Sequence, residues 1–518
     1  MKAFFIAFFV FCKSIAVFGQ VPDISYNTPI FFDVNSSISP LVVSNSGGLV
    51  PNAPFVTTVA GNGSFGAIDA NGVSARFNYP TVVTLDNYGN IIVVDRSNHK
   101  IRNIDLNNEV TTISGNGTIG SQDGLISTST YNYPDGAVVD SNGNIFITDQ
   151  SNHKIRKIST TGIVSTFAGS GVAGFLDGVG VSARFYYPAA LAIDALDNLI
   201  IADYSNHRIR KITPDGIVST FAGTGVSGSL DGITTNARFN GPTGIGIDSF
   251  GTVFVADYGN HKIRKIAVDG TVSTFAGSGV AGAMDNTGSL ATFNRPAVVA
   301  VDSNDELYVT DQSNHKIRKI STAGVVSTFA GIGFFGAIDG DFSSASFNSP
   351  SGIVVDSNDD LIIADYGNHK IRKITKYGFS INPVLPVGLV FNRVTGEISG
   401  IPTVITPNAI YTVTASNSFG SSSFDIAIEV GTLSNKEFNL ESIKVYPNPI
   451  INKLNVTGIE FVNSIAISNS LGQIIEKING GKLNQTIDLT YLQSGIYYVL
   501  IESPLGSKKV KIIKMQMN

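Results

Sequence analysis

The chain contains six histidines, His99, His153, His207, His261, His315 and His369, each 54 residues after the one before it. A spacing that takes in every histidine belongs to a repeating unit before it belongs to any site. The same frame returns around each one: Asp95, Asn98, His99 and Arg102 open the series, and Asp365, Asn368, His369 and Arg372 close it. One unit, Tyr187 to Gly241, offers four strand-like runs, ALAID, NLIIAD, HRIRKI and IVSTFAG. Asp, Asn and Gly turns part them, and one long loop leads on to the next proline. Pro80, Pro134, Pro188, Pro242, Pro296 and Pro350 keep the same interval, which suits a fixed entry into an innermost strand.

Four strands repeated six times predict an all-β fold built on a six-bladed β-propeller over residues 55–376. Closure follows from the ends of the series. The strand of the VSTFAG type first occurs as VTTVAG at Val56 to Gly61, before the first complete unit, and none follows the last IRKI strand at Ile371 to Ile374. Residues 56–61 therefore complete the sixth blade, which removes both exposed sheet edges.

Composition narrows the class. At 43% hydrophobic and 14% charged, the 518-residue chain can bury several cores, and its 54 glycines suit many short strands and turns. A net charge of −5 provides no basic field for a phosphate backbone, so nucleic acid is not an expected partner. The opening MKAFFIAFFVFCKSIAVFG reads as a cleaved export signal over residues 1–19, which would remove the one cysteine, Cys12. No later segment is apolar for long enough to span a bilayer.

The repeated pattern, a proline-led strand followed by the A-D-x-x-N-H-K/R-I-R-K-I type of segment, resembles the NHL repeat. NHL propellers serve mainly as platforms for protein, RNA or glycan partners, and a minority are lyases or related enzymes. Phe379 to Thr403, with the YTVTASNSFGSSSFDIAIEV that follows, is similar to the Ig-like or cadherin-like repeats of bacterial surface proteins. A matching first part precedes the propeller at Ile24 to Pro51. The expectation is one sandwich, built from residues 20–54 and 377–431, with the propeller inserted into a loop. Residues 436–518, with VYPNPIINKLNV and LQSGIYYVLIES, resemble the type A C-terminal sorting domain of the type IX secretion system of Bacteroidota. That resemblance implies an outer-membrane secretion machinery as partner and a secreted or surface location.

Among candidate site residues, the six histidines and the aspartates at Asp95, Asp149, Asp203, Asp257, Asp311 and Asp365 read as structural. The aspartates would accept turn amides or pair with the repeated arginine. No metal or cofactor is assigned. Calcium is weighed on the LDG aspartates Asp177 and Asp231 and left unproven, because their loops lack a dense series of oxygen ligands. No nucleophile triad or carboxylate pair can be assembled from residues that break the repeat, which argues against catalysis. What varies between units is what the fold leaves free. Before each proline stand Tyr79, Tyr133, Tyr187, Gly241, Arg295 and Ser349, and after each turn aspartate Arg96, Gln150, Tyr204, Tyr258, Gln312 and Tyr366. Strand alternation places both sets on one face. Their tyrosines, arginines and amides predict a rim that binds a protein or glycan. The alternatives are a metal-dependent lyase or lactonase-like hydrolase, and a structural component of the surface or matrix.

Overall fold

The computed structural model describes residues 20–27, 30–50, 54–376, 378–417, 420–432, 443–457, 461–482, 485–503 and 506–516. The expected export signal and Cys12 lie outside them. Two compact units form: the first comprises the described residues up to Ile30 with Ser39–Gly400 and Ala409–Ile428, the second Phe31–Ile38, Ile401–Asn408 and the described residues from Glu429 on.

Within the first unit, six antiparallel sheets repeat one strand order. In the third they run Pro188–Ile193, Leu199–Asp203, Arg208–Ile212 and Ile217–Ala222, from the axis outward. The second strand is buried along its whole length, because neighbouring sheets cover both of its faces. Adjacent innermost strands pack against one another from Pro80–Leu85 round to Ile353–Val355 and back, so the ring is closed. The closing sheet takes its fourth strand, Phe55–Ala60, from the other end of the propeller. It pairs with Lys370–Thr375 in the register Ile371 to Ala60, Ile374 to Val56 and Thr375 to Phe55. Five sheets gain a fifth, two-residue strand such as Gly178–Val179, contributed by the long loop of the preceding blade. The sequence reading did not anticipate these strands, since two residues are too few to show a period.

Segments on either side of the propeller meet. Leu41 and Ile398 exchange both backbone hydrogen bonds, at 2.8 and 3.0 Å. The Tyr26 hydroxyl donates to the Gly396 carbonyl at 2.5 Å, and the Asn417 amide donates to the carbonyls of Gln20 and Leu49. Phe379–Asn382 pairs antiparallel with a later strand, in the register Phe379 to Ala415 and Asn382 to Thr412. The propeller is thus inserted in an Ig-like sandwich. Its entry and exit are neighbours, as the Thr375 to Phe55 pairing requires.

In the second unit, sheets of three and four strands enclose an aliphatic core that includes Leu454, Ile467, Leu489, Val499 and Ile512. Among the described residues no helix is long and apolar enough to cross a membrane.

Candidate functional site

Each turn from second to third strand is a single turn of 3-10 helix held by an ion pair beneath it. In the third blade the Asp203 carboxylate accepts from the Tyr186 N–H, the Asn206 amide and Arg210 Nη1, each at 2.8 Å. Arg210 is fully buried, and its Nη2 reaches the Leu176 carbonyl and, at 2.6 Å, Asp177 Oδ1 from the preceding loop. The same pairing joins Arg264 to Asp257 and Asp231. Both LDG aspartates weighed for calcium therefore have guanidinium partners. Burial pushes the turn carboxyls up, to about 6 at Asp95, against the pull of the guanidinium and the amide donors. Each of the six lies beside a guanidinium that would otherwise be buried without a counter-charge.

The histidine ends the turn in the left-handed conformation, at φ between 52° and 56° in all six copies. Its Nδ1 accepts the backbone N–H of the residue before the next blade's proline. Tyr133 donates to His99, Gly241 to His207 and Ser349 to His315, at 2.9–3.1 Å. Tyr79 donates to His369 and so closes the series across the seam of the ring. An accepting Nδ1 leaves the proton of the neutral ring on Nε2. Burial holds the imidazoles below the ordinary 6.5. Among the described residues no three His, Cys, Asp or Glu side chains gather as a metal would need.

The first residue of each turn goes elsewhere. Arg96, Gln150, Tyr204, Tyr258, Gln312 and Tyr366 all line one cavity of about 250 Å3 at the axis. Its floor includes Thr81, Asp135 and Thr243 of the innermost strands and Ser351, just before the last of them. Arg96 Nη2 donates to Gln150 Oε1 at 2.8 Å, and its Nε lies 3.4 Å from Asp135 Oδ1. Tyr258 donates its hydroxyl to Gln312 Oε1 at 3.2 Å. Burial raises the Asp135 carboxyl, with Arg96 opposing. The cavity thus holds one cation, one anion, two primary amides and three phenols. It can engage donors and acceptors together while offering aromatic faces.

The ten residues expected on one rim divide into two sets. Six line the cavity; Tyr79, Tyr133, Tyr187 and Arg295 do not, and the contacts show where they stand instead. Tyr187 packs edge-on to His153, Tyr79 lies 4.7 Å from Tyr366, the Arg96 guanidinium sits over the Tyr133 ring at 5.0 Å, and that of Arg295 over Tyr258 at 5.7 Å. Three of these four pairings brace a cavity residue. Asp135 was missed, although the position after each proline also varies: Thr81, Asp135, Ala189, Thr243, Ala297 and Ser351. One acid among small residues was the available signal.

Three family models match parts of the chain. The NHL repeat model matches residues 131–158, 185–212, 239–266, 293–320 and 347–374, and the Putative Ig domain model matches 364–431. The Secretion system C-terminal sorting domain model matches 444–515, which indicates export by the type IX system to the cell surface or beyond. The chain is 29% identical over 335 residues to NHL repeat-containing protein 2 of Bos taurus, covering 57% of this chain and 46% of that protein. It is 28% identical over 350 residues to the protein of the same name in Homo sapiens, covering 60% and 48%. The chain therefore spans about half the length of these curated relatives. A solved structure of a protein of unknown function from Bacteroides thetaiotaomicron aligns with a TM-score of 0.50 at 19% identity, over 69% of this chain and 98% of that one, a likeness of fold alone.

Proposed function

We propose that this is an exported, non-enzymatic binding protein whose propeller recognises a protein or glycan ligand at the axial cavity. One observation carries the reading: six residues that the repeat leaves free converge on a single cavity, while the residues it holds constant are consumed in ion pairs and inter-blade hydrogen bonds. The volume suits one protruding polar group of a larger ligand, seated against the Arg96–Asp135 pair with Tyr204, Tyr258 and Tyr366 as walls. Export rests on the sorting domain and on a leader at residues 1–19, and the secretion machinery is the partner during passage.

The test is a peptide and glycan array with the full chain and with Arg96→Ala/Tyr204→Ala. Saturable binding that falls at least tenfold in the still-folded variant supports the proposal, and binding indifferent to both substitutions sinks it. The same array repeated in EDTA separates the runner-up. Loss on chelation, with turnover of a lactone or cyclic depsipeptide probe, would replace the binding role with a metal-dependent hydrolase or lyase.

A further inference from the structure

The repeat breaks in a second place, on the opposite face. At the end of the third strand five units carry a lysine, Lys157, Lys211, Lys265, Lys319 and Lys373, and the first carries Asn103. On the fourth strand four units carry a phenylalanine, Phe167, Phe221, Phe275 and Phe329, whereas the first carries Ile113 and the sixth Val59. In the second, fourth and fifth units that phenylalanine packs on an aromatic ring of the second strand, with centroids 4.9–5.1 Å apart. In the first unit the second-strand residue is Ile92, so the ring pair and the lysine are all missing.

Smaller side chains leave space. The cleft between the first and second blades holds about 530 Å3, against about 160 Å3 between the second and third and about 230 Å3 between the third and fourth. The first value lies within the range of small-molecule sites, about 300–1,000 Å3. The cleft has an aliphatic floor of Ile92, Ile113 and Ile145 under a polar rim. Among the described residues, the side chains of Asn103, Thr111, Asn142 and Thr160 make no hydrogen bond, although Asn103 is half-buried. The Asn103 amide atoms are not sealed from solvent, so they are open to water or to a ligand's hydroxyls. Tyr88 stands at the edge, 84% exposed. The lining has one charged side chain, Asp86, whose carboxylate accepts from the Asn90 amide at 2.7 Å, and no cation to hold an anion.

We infer that this cleft is a second binding site, for a neutral oligosaccharide. Uncharged hydroxyls match the free amides and threonine hydroxyls, the Asp86 carboxylate adds an acceptor, and a sugar's apolar face can lie on the isoleucine floor or on Tyr88. The site is independent of the axial cavity in residues and in face.

The variant Asn103→Lys/Ile113→Phe tests it by installing side chains that the other units already accommodate. An array of neutral oligosaccharides, followed by calorimetric titration of the strongest hit, is run on the full chain, on this variant, and on the axial variant Arg96→Ala/Tyr204→Ala. A tenfold or greater loss in the filled-cleft variant, with binding kept in the axial variant, is the expected result. Asn103→Ala/Thr111→Val, which removes hydrogen bonding without filling the space, should weaken binding as well. Oligosaccharide binding that survives both cleft variants overturns the inference, as does an array on which the unmodified chain retains no neutral sugar. Loss in the axial variant alone would assign the sugar to the axis instead.

Discussion

Asp203 and Tyr204 are adjacent in the chain and belong to different regions of the propeller. Asp203 lies with Asn206, His207 and Arg210 in the buried frame, where the carboxylate, the amide, the imidazole Nδ1 and both guanidinium Nη atoms have partners set by the blade geometry. Tyr204 leaves the same turn for the axial cavity, where its counterparts are Arg96, Gln150, Tyr258, Gln312 and Tyr366. Six copies of one turn separate the two demands: what the fold requires is repeated, and what it does not require is free to differ. Invariance across units therefore marks architecture here, and the departures mark candidate function.

The comparison is broken most severely at the arginine. Arg210→Ala leaves Asp203 buried without its counter-charge and opens a large void, so a loss of about 3–5 kcal/mol is expected. Asp177→Asn should cost much less, because Asp177 is 44% exposed and the inner ion pair survives. Chemical denaturation of the two variants beside the unmodified chain checks both. Equal losses would mean that the loop carboxylate, not the inner pair, anchors the arginine.

Much of this frame was legible in the sequence. The 54-residue interval and the unpaired outer strand at Val56 led to a closed six-fold ring, because a period and a leftover strand are properties of the chain alone. The histidine could be read as structural, but not what it does. Its acceptor bond to the following blade depends on a left-handed backbone at His207 and on the distance to Gly241, which no single unit contains. The division of the expected rim is of the same kind: Tyr187 and Tyr204 share a face, yet only packing decides which of them reaches the axis. The wide cleft at Asn103 and Ile113 was visible in principle as two departures from the repeat. Its volume was not, since that is set by what the neighbouring blade leaves unfilled.

A smaller effect is expected at the histidine. His207→Asn keeps a residue that tolerates the left-handed turn but removes the ring that accepts the Gly241 N–H, and should cost about 1–3 kcal/mol. The cost depends on pH with a definite sign. Burial holds the folded imidazole below 6.5, so its contribution is fully present above 6.5 and is lost as pH falls through that value toward the lowered one. The raised turn carboxyls act in the opposite direction, binding protons in the folded state as pH falls. The readout is therefore the difference between variant and unmodified chain at each pH, which cancels the carboxylate contribution common to both. A penalty that grows on acidification would show that the ring is charged in the folded state.

The smallest effect, and the one that separates the two regions most cleanly, is expected at Asp135. It occupies a register where the other units place Thr, Ala or Ser, so the blade does not require a carboxylate there. Burial raises its pKa, so the folded state is disfavoured by its ionisation once the pH exceeds the ordinary carboxylate value. Asp135→Asn removes that penalty. The partner Arg96 keeps its bond to Gln150 and some access to water, so it is not left as an unpaired buried charge. The variant should be slightly more stable than the unmodified chain near pH 7, by less than about 1 kcal/mol, with the gain vanishing below pH 4. It should also bind the axial ligand less well. A gain in stability paired with a loss of binding is the signature of a side chain kept for recognition. A loss of stability would place Asp135 with Asp203, in the frame that holds the ring together.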